Sequence, residues 1–199
     1  NTLSTFNNII LKMNSAITHR GPDSNNVWQD KNSGIFLGHQ RLSIIDLSMA
    51  GNQPMVSNSG RFILTYNGEI YNHLEIRKEL KKIDLNIKWK SNTDTETLLE
   101  ALEYWGTEKT LKKTIGMFAF GLWDKRKRSL TLARDRMGEK PLYFGWQGKK
   151  LKKVFLFGSE LKSLKVHPEF NREINRDAIA LQLRHNYIPD PYSIYKGIH

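Results

Sequence analysis

The chain contains no cysteine. That excludes disulfides and cysteine-based zinc sites, leaves the chain without a thiol of its own, and fits an intracellular, cytoplasmic protein. No stretch approaches the roughly 18 apolar residues that a membrane-spanning helix needs, so no membrane partner is expected. Nothing at Asn1 reads as a signal peptide; the opening segment is amphipathic. No glycine-rich phosphate loop is present, so no cofactor is expected within these residues. His19, His39, His73, His167, His185 and His199 offer no closely spaced ligand pair, and no metal is expected either.

What is present points to a packed domain. Hydrophobic residues make up 39% of the chain and aromatics 11%, enough for a core and too much for disorder. A length of 199 residues implies one domain, placed at 1–186, with 187–199 as a linker. Two prolines, an absence of periodicity and no terminating element mark that linker, which reads as the approach to a further domain. The net charge of +11 comes from short scattered clusters such as Lys125 to Arg128 and Lys149 to Lys153. They fall at predicted turns and helix ends. No basic stripe with interleaved aromatics follows one element, so a solvated surface is favoured over a nucleic-acid partner.

Helices are predicted from Leu3 to Ile17, from the Asn72 cap to about Lys82, after the Thr93-Asp94-Thr95-Glu96 capping box, from about Thr107 to Gly116, and from the Asn175 cap to about Arg184. Strands are predicted at Ile35 to Asp46, at Phe62 to Tyr66 and at Ile87 to Trp89. Hairpins follow over Met117 to Asp135 and over Pro141 to Phe157. The later strands are apolar at nearly every position, so both their faces should be covered, which implies layered α and β structure.

The chemistry gathers at Tyr66-Asn67-Gly68-Glu69. Asn-Gly is a strong turn signal, so the strand should break there and present an amide, a backbone N–H and a carboxylate at a rigid strand end. Donors fixed in advance suit a developing oxyanion; the alternative is a hairpin turn with an incidental Glu. Arg41 sits in an apolar run and needs a partner. It is either an internal salt bridge, for example to Asp46, or a bidentate carboxylate clamp. Arg20 follows the first helix in His19-Arg20-Gly21-Pro22-Asp23, either as a surface residue or as a guanidinium tying loop carbonyls together. Asp94 by default favours a helix N-terminus.

These pieces occur in one order with Arg41-Leu42-Ser43-Ile44-Ile45-Asp46, Phe118-Ala119-Phe120 and Ala133 to Tyr143. Together, from His19 onward, they resemble the glutamine amidotransferase domain of glutamine-hydrolysing asparagine synthetases. The resemblance implies an α+β fold of N-terminal-nucleophile hydrolase type, a four-layer αββα sandwich of two antiparallel sheets. It implies a cysteine nucleophile and glutamine as substrate. Asn67 and Gly68 resemble the oxyanion hole, Arg41 the holder of the glutamine α-carboxylate, and Glu69 and Asp94 the holders of its α-ammonium. Ile44 and Ile45 would wall the pocket, and Arg20 would support the nucleophile's loop. ATP and magnesium would belong to a synthetase domain that receives ammonia, and a homodimer is a further partner that the resemblance allows.

The departure is the nucleophile. The family pattern begins with Cys-Gly-Ile or close to it, whereas this chain begins at Asn1 and holds no Cys. The expectation is that a first segment, carrying the nucleophile and a strand, is missing, and that the 199 residues alone do not hydrolyse glutamine. Alternatives are a degenerate domain that binds glutamine without cleaving it, a related amidotransferase that feeds another acceptor, and a non-catalytic module for a polyanion.

Overall fold

Alternation along strand β4 (Phe62–Ile70) sets the layering. Phe62, Leu64, Tyr66 and Ile70 join one core with Ile76, Leu80, Leu98, Leu99 and Leu102, which come from helices α2 (His73–Ile83) and α3 (Asp94–Trp105). Ile63, out of step with them, packs with Leu37 and Trp123 in a second core. Successive side chains of a strand face opposite ways, so helices cover one face of β4 and a second layer of strands covers the other. This is a computed structural model, and it describes residues 2–43, 46–149 and 152–199.

Strands β3 (Met55–Val56), β4, β5 (Gly116–Asp124) and β6 (Ser129–Arg134) form an antiparallel sheet in that order. Opposite lie two antiparallel hairpins. One pairs β1 (Ser24–Asp30) with β2 (Ile35–Arg41); the other pairs β7 (Tyr143–Gln147) with β8 (Val154–Gly158). Outside them run α1 (Thr2–Ser15) and the short α5 (Leu161–Leu164), where Met13, Leu156 and Leu164 share a third core. Helices α4 (Thr107–Lys113) and α6 (Arg176–His185) complete the described α-helices. The layers run helix, sheet, strands, helix, as expected of the sandwich. The second strand layer is divided into two hairpins.

Several local expectations give way. The strand does not break at Asn67-Gly68: β4 continues to Ile70, with Asn67 opposite Ala119 and Gly68 opposite Phe118. Neither residue takes a left-handed backbone. Gly68 is needed for close approach instead, since a Cβ there would lie 2.7 Å from the Cα of Phe118. Strand β2 stops at Arg41 rather than Asp46, because its partner β1 begins at Ser24, opposite Arg41. β1 itself is too polar to stand out as a strand. Ile87 to Trp89 form no strand; both ends pack against the helical core, with the Arg77 guanidinium 4.2 Å from the Trp89 ring centre. Asn72 does not cap α2. Its side chain accepts from Ile115 N–H (2.9 Å) and donates to the Lys113 carbonyl (2.9 Å), tying the end of β4 to the start of β5. The segment at 187–199 folds back: Phe144 and His199 exchange backbone hydrogen bonds of 2.9 and 2.8 Å, and Ile198 is buried.

Candidate functional site

The site is built around β4 and the start of α3. Thr93 caps α3, accepting from Glu96 N–H at 3.2 Å. Glu96 reaches past the cap to the N–H groups of Lys90 and Ser91, both at 2.8 Å. The helix thus starts rigidly, and Asp94, its first residue, points at β4. The Asp94 carboxylate accepts from the Tyr66 hydroxyl (2.6 Å) and from Ile70 N–H (2.9 Å) through the same oxygen. Burial and the negative charge of Asp94 push the Tyr66 phenol up, so it stays a donor. Asp94 therefore does more than favour a helix dipole; it locks α3 to the strand.

Residues 46–53 are the common neighbour of the other parts. Gln53 accepts from Tyr66 N–H (2.7 Å) and donates to Thr95 Oγ1 (3.4 Å). Arg41 is buried at the end of β2 and aims its guanidinium into this loop. It donates to the Ser48 carbonyl (2.8 Å), to Asn52 Oδ1 (3.0 Å) and to the Asp46 carbonyl. The Asp46 carboxylate turns elsewhere, to the N–H groups of Ser48 (2.8 Å) and Asn92 (3.2 Å), so the ion pair anticipated between Arg41 and Asp46 does not form. A Cβ on Gly51 would lie 2.9 Å from Arg41 Cζ and 3.1 Å from Thr93 Cγ2, which places Arg41 beside the residue preceding Asp94. Glu69 is exposed at the strand end, one residue before the N–H that Asp94 holds. The structure thus brings Arg41 and the start of α3 together at residues 46–53, whereas Glu69 makes no hydrogen bond or ion pair among the described residues. Ile44 and Ile45 lie outside the described residues.

Arg20 ties no loop carbonyl among the described residues, whereas Arg41 does. Arg20 instead meets Glu160 at 3.0 Å, and His19 (2.9 Å) and Lys162 (3.2 Å) share the same carboxylate. Burial resists ionisation of Glu160, but the three hydrogen-bonded partners outweigh it and hold the carboxyl at about 2. This cluster joins the end of α1 to the start of α5. Arg20 also borders a cavity of about 370 Å³ between the strand layers.

Asn67 shares its face of β4 with Thr65 and opens onto that cavity. Its amide nitrogen is buried and has no partner among the described residues. His39 lines the same cavity and binds the Tyr66 carbonyl through Nε2 at 3.0 Å. Sequence reasoning missed His39, Gln53 and Glu160, and it gave the Tyr66 hydroxyl no role. Tyr66 reads as a core residue in phase with Leu64, and only its hydroxyl, which needs a partner when buried, signals more. A lone His in an apolar run signals nothing about its neighbours.

A strand layer on each side of a cavity, with a helical layer outside each, is the four-layer sandwich expected of the N-terminal-nucleophile hydrolase fold. The glutamine amidotransferase domain family matches residues 2–199, and the chain belongs to that family. A solved glutamine phosphoribosylpyrophosphate amidotransferase from B. subtilis is similar in fold, with a TM-score of 0.63 at 18% identity over 80% of this chain and 40% of that one. More particularly, the chain is similar to glutamine-hydrolysing asparagine synthetases. The putative asparagine synthetase 2 of Methanocaldococcus jannaschii is 40% identical over 206 residues, covering 94% of this chain and 38% of the relative. Asparagine synthetase 3 of Bacillus subtilis is 34% identical over 171 residues, covering 85% of this chain and 26% of the relative. The chain therefore spans well under half the length of these curated relatives. No helix among the described residues is long and apolar enough to cross a membrane.

Proposed function

We propose that this domain binds glutamine and, with a cysteine nucleophile supplied from outside the 199 residues, hydrolyses its side-chain amide. The observation that carries the reading is Asn67: a buried amide donor with no partner among the described residues, on a rigid strand that borders a cavity. Glutamine is a zwitterion with a neutral amide. Its α-ammonium would meet Glu69, which is exposed, and Asp94, whose second oxygen makes no hydrogen bond among the described residues. Its α-carboxylate would meet Arg41. Three of the loop contacts at 46–52 use that guanidinium, which has five N–H donors, so donors remain.

In the reaction, a cysteine thiolate attacks the side-chain amide carbon. Negative charge moves to the amide oxygen, where the Asn67 amide and the Gly68 backbone N–H stabilise it. The tetrahedral species collapses, the C–N bond breaks, and ammonia leaves with a proton from the nucleophile's α-amine. That amine titrates near pH 8 when free, so it can take the thiol proton and return it. Water then cleaves the γ-glutamyl thioester to glutamate. In this reading residues 1–186 form the glutaminase unit and 187–199 lead towards a synthetase domain. There ATP and magnesium would activate aspartate for the ammonia.

Glutaminase assays test the proposal. The 199-residue chain is expected to release no ammonia from glutamine. The same chain preceded by a Cys-initiated first segment is expected to release it, and Asn67→Ala should lower its kcat by on the order of 10²–10³. Turnover by the 199 residues alone refutes the external nucleophile. An undiminished rate in Asn67→Ala refutes the oxyanion role.

A further inference from the structure

Asn67 is not the only unpartnered polar group in its cavity. His39 Nε2 lies 3.0 Å from the Tyr66 carbonyl oxygen. A carbonyl only accepts, so Nε2 carries the hydrogen. Burial lowers the His39 pKa, the bond to Tyr66 works the other way, and the charge of Arg41 lowers it again, to about 4. At neutral pH the ring is therefore uncharged and Nδ1 is a bare lone pair. Nδ1 is buried and finds no donor among the described residues. The Asn67 amide N–H, on the residue after the carbonyl that His39 holds, finds no acceptor among the described residues. Two residues that border one cavity thus hold, just beneath its surface, an unmet acceptor and an unmet donor. Leaving a buried polar atom unmet costs about 1–3 kcal/mol, so both point to a group that enters from elsewhere.

The cavity walls show what kind of group. Residues 35–40 of β2 border it consecutively, and so do residues 154–158 of β8. Each of these strands belongs to a separate two-stranded sheet and has a free edge. The cavity they share leaves room for an extended segment beside those edges. In the glutaminase reading, on which this inference rests, that segment carries the nucleophile.

We propose that His39 is a positioning residue: its Nδ1 accepts a hydrogen bond from the α-amine of the nucleophile-bearing segment and fixes that amine beside the Asn67 amide. An uncharged acceptor suits the task. The amine donates one N–H to His39 and keeps its own lone pair directed at the thiol proton. Once protonated, it still faces an acceptor rather than a second cation.

Two substitutions separate this role from simple support of Tyr66. His39→Gln keeps a donor near the Nε2 position and loses the Nδ1 acceptor. His39→Asn places an oxygen near Nδ1 and loses the reach to Tyr66. In the protein preceded by the Cys-initiated segment, His39→Gln is expected to lose on the order of 10²-fold in kcat, with KM for glutamine unchanged. His39→Asn is expected to retain most of the activity. The reverse order, or equal losses, overturns the proposal. An activity-independent measurement is 15N NMR of the His39 ring. Nδ1 should resonate as unprotonated and unbonded in the 199-residue chain, and should shift to a hydrogen-bonded position when the segment is present. An unchanged Nδ1 overturns the inference even where the glutaminase reading holds. A shifted Nδ1 in a protein without glutaminase activity sinks that reading and leaves the contact standing.

Discussion

The two faces of β4 treat their polar groups in opposite ways. On the helix face the Tyr66 hydroxyl ends on Asp94, and along the adjoining edge the Ile70 N–H ends on Asp94 and the Tyr66 N–H on Gln53. On the cavity face, the Asn67 amide and the His39 Nδ1 end on nothing among the described residues. Neighbouring residues of one strand thus belong to a closed network and an open one. The closed face holds α3 and the 46–53 loop in register with the strand. The open face leaves groups available for a reacting molecule, and the closed face fixes where they stand.

This contrast predicts how substitutions should divide, read by urea unfolding. Asp94→Ala should cost most, about 3–4 kcal/mol, because it orphans two buried donors at once. Gly68→Ala should follow at about 2–3 kcal/mol, since the new methyl group meets the Phe118 backbone and must push β4 from β5. Tyr66→Phe should cost about 1 kcal/mol, the net worth of one hydrogen bond. Acid adds a graded effect through His39. Its folded pKa of about 4 lies below the ordinary 6.5, so the unfolded chain binds the proton first. That stability is complete above about pH 6.5 and falls as pH drops towards 4, with a slope of at most about 1.4 kcal/mol per pH unit, and His39→Gln should remove the slope. Asn67→Ala should change stability by less than about 0.5 kcal/mol, because no bond within the domain is lost. An Asn67→Ala variant as unstable as Asp94→Ala would erase the distinction between the faces.

Much of the architecture was legible in the chain. Thr93 and Asn175 cap their helices through their side chains, as their positions indicate. The hairpins from Met117 onward follow their apolar runs and tight turns. The misreadings share a cause. Asn67-Gly68 is locally a turn, but pairing with β5 carries the strand through it. Asn72 looks like a cap, yet the start of β5 claims its amide. Arg20 and Arg41 each need partners, and a one-dimensional pattern cannot rank loop carbonyls against Glu160. Each outcome depends on a group distant in sequence.

The chain by itself determined the inventory: which donors, carboxylates and cations exist, which stretches have helical or strand period, that no thiol is present, and which family the ordered motifs belong to. The tertiary structure alone decided the assignments. It gave Asp94 to Tyr66, Arg41 to the 46–52 carbonyls and Glu160 to Arg20, and it left polar atoms of Asn67 and His39 without partners among the described residues, beside one cavity. Periodicity and capping act over a few neighbouring residues and leave their mark in local sequence. A buried hydrogen bond depends on which distant groups the packed layers bring within about 3 Å of one another.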